Sequence, residues 1–591
     1  MRAVVVGLFV LVVSGVIVRA EQPFDGSKWN ISTGNLSVGY IQASPIGAHP
    51  RKGVMEPPPS VEELRRMKQA SLVAYEDYFA WGAEEREQGK WDWTQHDAME
   101  KAVHAAGLKY VAYNWIHFPP LWLREGQTSK QRTLMKCLEH GKETNYLSIF
   151  DPKTIENYDH FYKHLAEHFG EKLDGVYACI LGPYGEGNYP LNVPDWVNIG
   201  HCHEGFWCAD DFAALAFCGA MEKKYQSVEK LNEAWGTTFR SFKDVSMPTA
   251  IDEKFRPSAK LWKTGTDRRR WLDFITWYHQ AIIDFAEKSI RVTLKYFPKD
   301  KVRTKPGGNA GGVNPLAWGT YCPGYAKMAA KFGIPLQPAD CQGAYCGDKW
   351  VATAYHFYKV PLGTEPAGGL DHSAFNRRMF SDASCGASQI FTYEFDEHAE
   401  AIRKYAHLVT GEMGETDVAV LCPTTLYRLG GDLLKTIDSA MKLRDVADYD
   451  VLDELLIADG ALTPRYKALV IFEPSFMERD VLEKIVHWAN AGGKLLMPAD
   501  ASGLSDVEGM KLIRPPAVGL DLKSDRWLAT AAAALADMRG VDGRADGLWT
   551  TRRGSKTFIY NTQGKERQTD VVVNGVKTTA TVRGHEIWET P

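Results

Sequence analysis

Beyond its first 20 residues the 591-residue sequence contains no apolar run long enough to cross a membrane, since a spanning helix needs about 20. It also lacks a strong charge of either sign. With 69 Lys and Arg against 74 Asp and Glu the net charge is −5, which gives no electrostatic reason to expect a nucleic acid or an anionic membrane as partner. The stretch from 416 to 522 carries no glycine-rich phosphate fingerprint. Cysteine is sparse, at 10 residues, and its spacing matches no standard zinc finger or ribbon. No cofactor is expected.

What is present reads as a globular chain of two or three domains, 45% hydrophobic and 24% charged. Met1-Arg2, the apolar stretch Ala3 to Val18 and the small residues at Val18-Arg19-Ala20 form a signal-peptide pattern over residues 1–20. A secreted or periplasmic protein is the expectation. Export permits disulfides, and Cys202 with Cys208, and Cys341 with Cys346, bracket short loops. Zinc at Cys202, His203 and Cys208 is the less favoured reading of the first pair.

From about residue 60 the sequence alternates short apolar runs with longer amphipathic ones. Ser60 to Lys68 carries a capping box on Ser60 and Glu63. A first strand is expected at 71–75, another at 108–112, another at 175–181, and further ones near Val302, Ile334, Phe357 and Gln389. Helices are expected at 155–169, 210–225 and 271–296. The alternation predicts an α/β chain: a (β/α)8 TIM barrel over residues 21–415. A small doubly wound, flavodoxin- or amidotransferase-like α/β domain follows at 416–522, and a β-rich domain at 523–591, with an Asn574-Gly575 hairpin turn. IFEPS (471–475) holds no cysteine where amidotransferase-type domains have their nucleophile, so the second domain is expected to be structural or oligomerising.

Two carboxylates stand out. Glu186 follows the apolar run 176–181 inside ACILGPYGEGNYP, and Glu365 follows 357–362 ahead of Pro366-Ala367-Gly368-Gly369. A barrel brings its C-terminal strand ends to one rim. The two glutamates are expected after the fourth and seventh strands, where one can serve as proton donor and the other stay ionised, as glycosidic cleavage requires. Aromatic content of 12%, with 18 Trp, suits sugar stacking. Glu76, Asn114, Trp115, His117, Asn188, Trp318 and Glu394 are the expected substrate-binding residues. Asp77, Trp122, Asn309, Tyr321 and Asp396 are neighbours of interest.

Phe79 to Asp97 and Lys224 to Phe242 resemble segments of the glycoside hydrolase family 42 β-galactosidases. That resemblance implies a clan A barrel, retaining chemistry with Glu186 as acid/base and Glu365 as nucleophile, an oligosaccharide or polysaccharide as partner, and a homotrimer. One departure is clear: Gly185 stands where clan A enzymes place Asn before the acid. The run GPYGEGNYP also looks like the acid segment of β-amylases, which invert. An inverting glycosidase and a non-catalytic sugar-binding barrel are therefore the alternatives.

Overall fold

The computed structural model describes residues 31–33 and 59–590, except 118, 125–131, 192–200, 249–262, 308–315, 339–343, 367–368, 394, 510–511, 514, 545 and 574–575. The signal-peptide pattern, Asn309, Cys341, Glu394 and the Asn574-Gly575 turn lie outside the described residues.

A sheet of parallel strands runs in spatial order Ile31–Thr33, Ala74–Ala80, Lys109–Trp115, Gly175–Ala178 and Val302–Thr304. Leu336 continues it as a single-residue bridge to Thr304 on one side and Leu362 on the other. Gly363–Thr364 and Gln389–Phe391 follow, and the last strand pairs with the first, Ile31 opposite Ile390. The eight positions close the expected barrel. Pro152–His168, Gly265–Thr293 and the other barrel helices lie between these strands in the chain. The capping box at Ser60 and Glu63 starts helix Val61–Gln69 as expected.

Three sequence expectations change. The first strand is Ile31–Thr33, and the predicted strand at 71–75 is the second, Ala74–Ala80. A three-residue strand offers too little periodicity to be seen alone. Phe357 ends helix Tyr345–Phe357, the chain turns at Lys359 (φ 59°), and the seventh strand is only Gly363–Thr364. An aromatic-rich apolar run is compatible with either a helix end or a buried strand, and here it is mostly helix end. Finally, the nine described cysteines, Cys202, Cys208 and Cys346 included, form no disulfide with one another.

After the barrel, five parallel strands adopt the order Asp450–Asp453, Val418–Cys422, Ala468–Val470, Lys494–Pro498, Ala517–Leu520. This is the 2-1-3-4-5 order of a doubly wound sheet. The remaining chain forms an antiparallel sheet of Leu548–Arg553, Lys556–Asn561 and Ile587–Glu589 beside the hairpin Arg567–Val573/Val576–Val582. Tyr321, expected near the cleft, instead donates to Asp453 of the second sheet at 2.5 Å.

Candidate active site

The rim of the barrel gathers polar side chains directly after its strands. Glu365 follows Thr364, Lys305 follows Thr304, Gln337 follows Leu336, and Tyr393 lies two residues past Phe391. Lys305 is buried, and its Nζ lies 2.5 Å from Glu365 Oε2 and 3.0 Å from Glu76 Oε2. Its Nζ also stands 3.9 Å from the ring centroid of Tyr113. Burial alone would push the lysine down, but the charges of Glu365 and Glu76 outweigh it and hold the ammonium above its ordinary range. Tyr393 donates to the other Glu365 oxygen at 2.8 Å, and Gln337 Nε2 approaches Glu365 Oε2 at 3.5 Å.

Glu186 reaches the same rim by a different route. After Gly175–Ala178 the chain turns through Pro183–Gly185, with Tyr184 at φ 68° and Gly185 at φ 72°. The turn folds back on its strand: Ile180 N donates to Gly185 O, and Leu181 N and Gly182 N donate to Glu186 O, at 2.8 to 3.0 Å. Gly187 N then reaches Lys305 O at 3.1 Å, tying the turn to the fifth strand. A Cβ on Gly185 would lie 2.8 Å from Asn114 O and 3.2 Å from Cys179 Sγ. The close approach of the Asn114 carbonyl, more than the backbone angle, disfavours the Asn that clan A enzymes carry here. Asn188 folds back instead, its Nδ2 3.4 Å from Glu186 Oε2.

The two glutamates are electrostatically distinct. Burial first, then the charge of Glu365, raises Glu186 to about 8, against the opposing pull of Lys305 and the Asn188 amide. Glu365 is held by an ammonium and a phenol, both of which stabilise a carboxylate. Tyr78 and Tyr113 line the space beside them, and the phenol oxygen of Tyr113 is buried without a hydrogen-bond partner among the described residues. The charge of Glu186, and then that of Glu365, helps keep Tyr113 protonated after burial has done most of it. One carboxyl thus carries a proton near neutral pH while its neighbour is paired with a cation, the division of labour of an acid and a nucleophile or base.

Other expected site residues take different positions. Glu76 lies inside the second strand, with one oxygen bound by Tyr177 (2.8 Å) and the other by Lys305, so it supports the site from below. Its neighbour Asp77 faces the opposite way, as strand alternation demands, and binds His96 at 2.7 Å. Asn114 donates to the Tyr177 carbonyl of the next strand. Trp115 is buried among Tyr78, Tyr113, His117 and Tyr184 as packing for the barrel mouth, not an open sugar platform. His117 is buried against Tyr146, and that burial keeps it neutral. Trp318 is half-buried, and its carbonyl accepts from Tyr189 N at 2.9 Å. Asp396 is exposed and pairs with Arg66 outside the barrel. Lys305, Tyr393, Gln337, Tyr78 and Tyr113 were not singled out by the sequence. The one available signal was that Lys305 is the first residue after a strand candidate.

A second cluster of donor atoms lies apart from the two glutamates. Cys137, His140, His201 and His203 each present a donor atom, all within 4.8 Å of one another. Cys202 turns to Thr144 Oγ1 (3.3 Å), and Cys208 is buried away from the group. The donor set suits zinc.

Residues 49–319 match the model of Glycosyl hydrolase family 14. The thermophilic β-amylase of Thermoanaerobacterium thermosulfurigenes is 28% identical over 239 residues, 37% of this chain and 41% of that protein. The β-galactosidase of Thermus thermophilus is 28% identical over 211 residues, 34% of this chain and 30% of that protein. The chain therefore spans less than half the length of either relative. Among solved structures, the β-galactosidase of the Antarctic haloarchaeon Halorubrum lacusprofundi shares the fold with a TM-score of 0.64 at 15% identity, over 90% of this chain and 97% of that one. The chain shares the barrel fold of glycoside hydrolases such as the Halorubrum lacusprofundi β-galactosidase, and its residues 49–319 are similar to glycosyl hydrolase family 14.

Proposed function

We propose that the protein hydrolyses β-glycosidic bonds of oligosaccharides by a retaining mechanism, with Glu186 as acid/base and Glu365 as nucleophile. The observation that carries this reading is the electrostatic split between the two carboxyls: Glu186 is raised to about 8, and Glu365 is paired with Lys305 and Tyr393. In the first step the Glu365 carboxylate forms a bond to the anomeric carbon as the bond to the glycosidic oxygen breaks. The proton of Glu186 goes to that leaving oxygen. In the second step Glu186 takes a proton from water, whose oxygen displaces Glu365.

A β-galactoside is the proposed substrate, supported by the full-length likeness to a β-galactosidase structure. Export and trimer formation belong to the same proposal. Phe212 and Leu215, large apolar side chains exposed on helix Asp211–Tyr225, are candidates for burial in such an oligomer, and sedimentation measures it. The β-amylase similarity favours one rival, inversion by the same two residues.

The test is turnover of aryl β-galactosides with the product anomer followed by NMR. Retained β-galactose, lost in Glu365→Gln and in Glu186→Gln with the fold intact, is the expected result. An inverted product replaces the mechanism, and near-wild-type turnover in either variant refutes the assignment.

A further inference from the structure

We propose that the cleft between the barrel and the second α/β domain binds a small neutral polyhydroxylated molecule, of the monosaccharide class, through His279 and Arg428. This inference goes beyond the glycosidase reading and does not depend on it.

The cleft holds a cavity of about 430 Å³, within the range of about 300–1,000 Å³ typical of small-molecule sites. One wall is the end of the second sheet. In a doubly wound sheet, ligands sit beyond the carboxyl ends of the strands, where the chain order reverses. Here the reversal falls between the neighbouring strands Val418–Cys422 and Ala468–Val470. Thr424 and Thr425 follow the first of these, Glu478 lies beyond the second, and Glu454 follows Asp450–Asp453. All four line the cavity. Helix Gly265–Thr293 of the barrel supplies the facing wall, with His279 on it. The missing cysteine nucleophile of this domain removes a reaction, not a binding crevice.

The walls are fixed before any ligand arrives. Arg269 meets both oxygens of Glu478 at 2.9 Å. Glu454 accepts from Thr425 N at 2.6 Å and from Thr425 Oγ1 at 2.7 Å. The Arg428 carbonyl accepts from Trp271 Nε1 at 2.7 Å, and its guanidinium lies over the Tyr321 ring, 4.7 Å from the centroid. Tyr321 is itself tied to Asp453. Such preorganisation lowers the cost of binding.

Two groups in this cleft are left over. His279 is only 4% exposed. Its Nε2 meets the Leu316 carbonyl at 2.8 Å, which places the ring proton there. Its Nδ1 is buried with no hydrogen-bond partner among the described residues, a costly arrangement unless something donates to it. Burial, then the charge of Arg428, pushes the ring down to about 3, so it stays neutral and keeps its lone pair. The Arg428 guanidinium, stacked on Tyr321, has no carboxylate paired with it among the described residues.

The pair selects the ligand. A cation is repelled by Arg428. A carboxylate pairs with Arg428 but has no proton to give His279 Nδ1. A hydroxyl does both, accepting from the guanidinium and donating to the imidazole. The other charges on the walls come as ion pairs: Lys224 with Asp273, Lys331 with Glu287, and Arg269 with Glu478. They set donors beside acceptors with little net field, which suits several hydroxyls on one neutral molecule better than a multiply charged ligand.

The experiment titrates the full-length protein with D-galactose, D-glucose or acetate, each alone, and maps hydrogen exchange. At least one sugar is expected to slow exchange saturably over residues 424–428 and 454–458, with an affinity indifferent to salt. Arg428→Met, which keeps an apolar stem over Tyr321, should weaken that binding at least tenfold, the worth of a hydrogen bond to a charged group. His279→Phe should do the same; if it fails to fold, Arg428→Met decides alone. No saturable protection of the cleft by either sugar, protection confined to the rim around Glu186 and Glu365, or sugar binding unchanged in Arg428→Met overturns the proposal. Protection by acetate and by neither sugar also overturns it. Protection of the cleft with a silent rim, in a protein inert on every glycoside, sustains this inference and refutes the glycosidase reading.

Discussion

Replacing Lys305 by Met tests the electrostatics of the candidate site most directly. The ammonium sits between two carboxylates at 2.5 and 3.0 Å, and all three groups are buried. At an effective dielectric of about 20, each contact carries about 6 kcal/mol of gross attraction. Most of that is offset by the cost of taking three charges out of water. Removing one partner leaves the others uncompensated, and such truncations cost about 3–5 kcal/mol. The melting temperature of the barrel should fall by about 4–7 °C. Lys305 also holds Glu186 below where burial and Glu365 would take it, so its loss should carry the alkaline limb of kcat/KM to higher pH. Turnover should fall as Glu365 loses its counter-ion. Thermal unfolding and a pH series on an aryl glycoside read all three effects. A Lys305→Met protein with unchanged melting, an unmoved alkaline limb and undiminished kcat/KM would refute the reasoning.

The wild-type kcat/KM should decline as pH rises through about 8, because the acid must be protonated in the free enzyme; a rate flat from pH 6 to 10 would contradict the role of Glu186. Gly185→Asn should destabilise by about 1–3 kcal/mol and disturb the acid, since the residue sits at φ 72° with Asn114 O 2.8 Å from the new Cβ; denaturant unfolding measures it. His96 is bound by Asp77 at 2.7 Å and Glu84 at 2.9 Å; burial pulls it down, but the two carboxylates outweigh that and raise it from 6.5 to about 9. Its contribution is full below pH 6.5 and lost as pH rises through about 9, about 3 kcal/mol in all. His96→Gln should flatten this part of the stability–pH curve, and an unchanged curve would exclude it.

The strand ends that carry Glu186 and Glu365 were legible because each follows an apolar run and is broken off by Gly and Pro. The same logic misplaced Glu76, because the strand expected to end at Tyr75 runs on to Ala80 with no Gly or Pro to stop it, and it missed Ile31–Thr33, which is too short to announce itself and owes its place to neighbours on both sides. Lys305 carries no local signal. Its meaning comes from Glu76, 229 residues earlier, and Glu365, 60 residues later, meeting at one point. The cluster of Cys137, His140, His201 and His203 was hidden for a related reason. Ligand spacing rules look within one segment, while Cys137 and His201 are 64 residues apart and are joined only by the fold.

The closing strand pair has a consequence for how the chain is made. Ile31 waits for Ile390, so the barrel cannot close until about 360 further residues have left the ribosome. At about 5–20 residues per second that interval is on the order of 20–70 s. Through it the first strand has no partner on its Gln389–Phe391 side and the growing sheet keeps two open edges. Closing a loop of that length adds an entropic barrier that grows only slowly with length but must be met in one step. Synthesis rate and chaperone capture of the early strands are therefore expected to govern yield more strongly than the stability of the finished barrel.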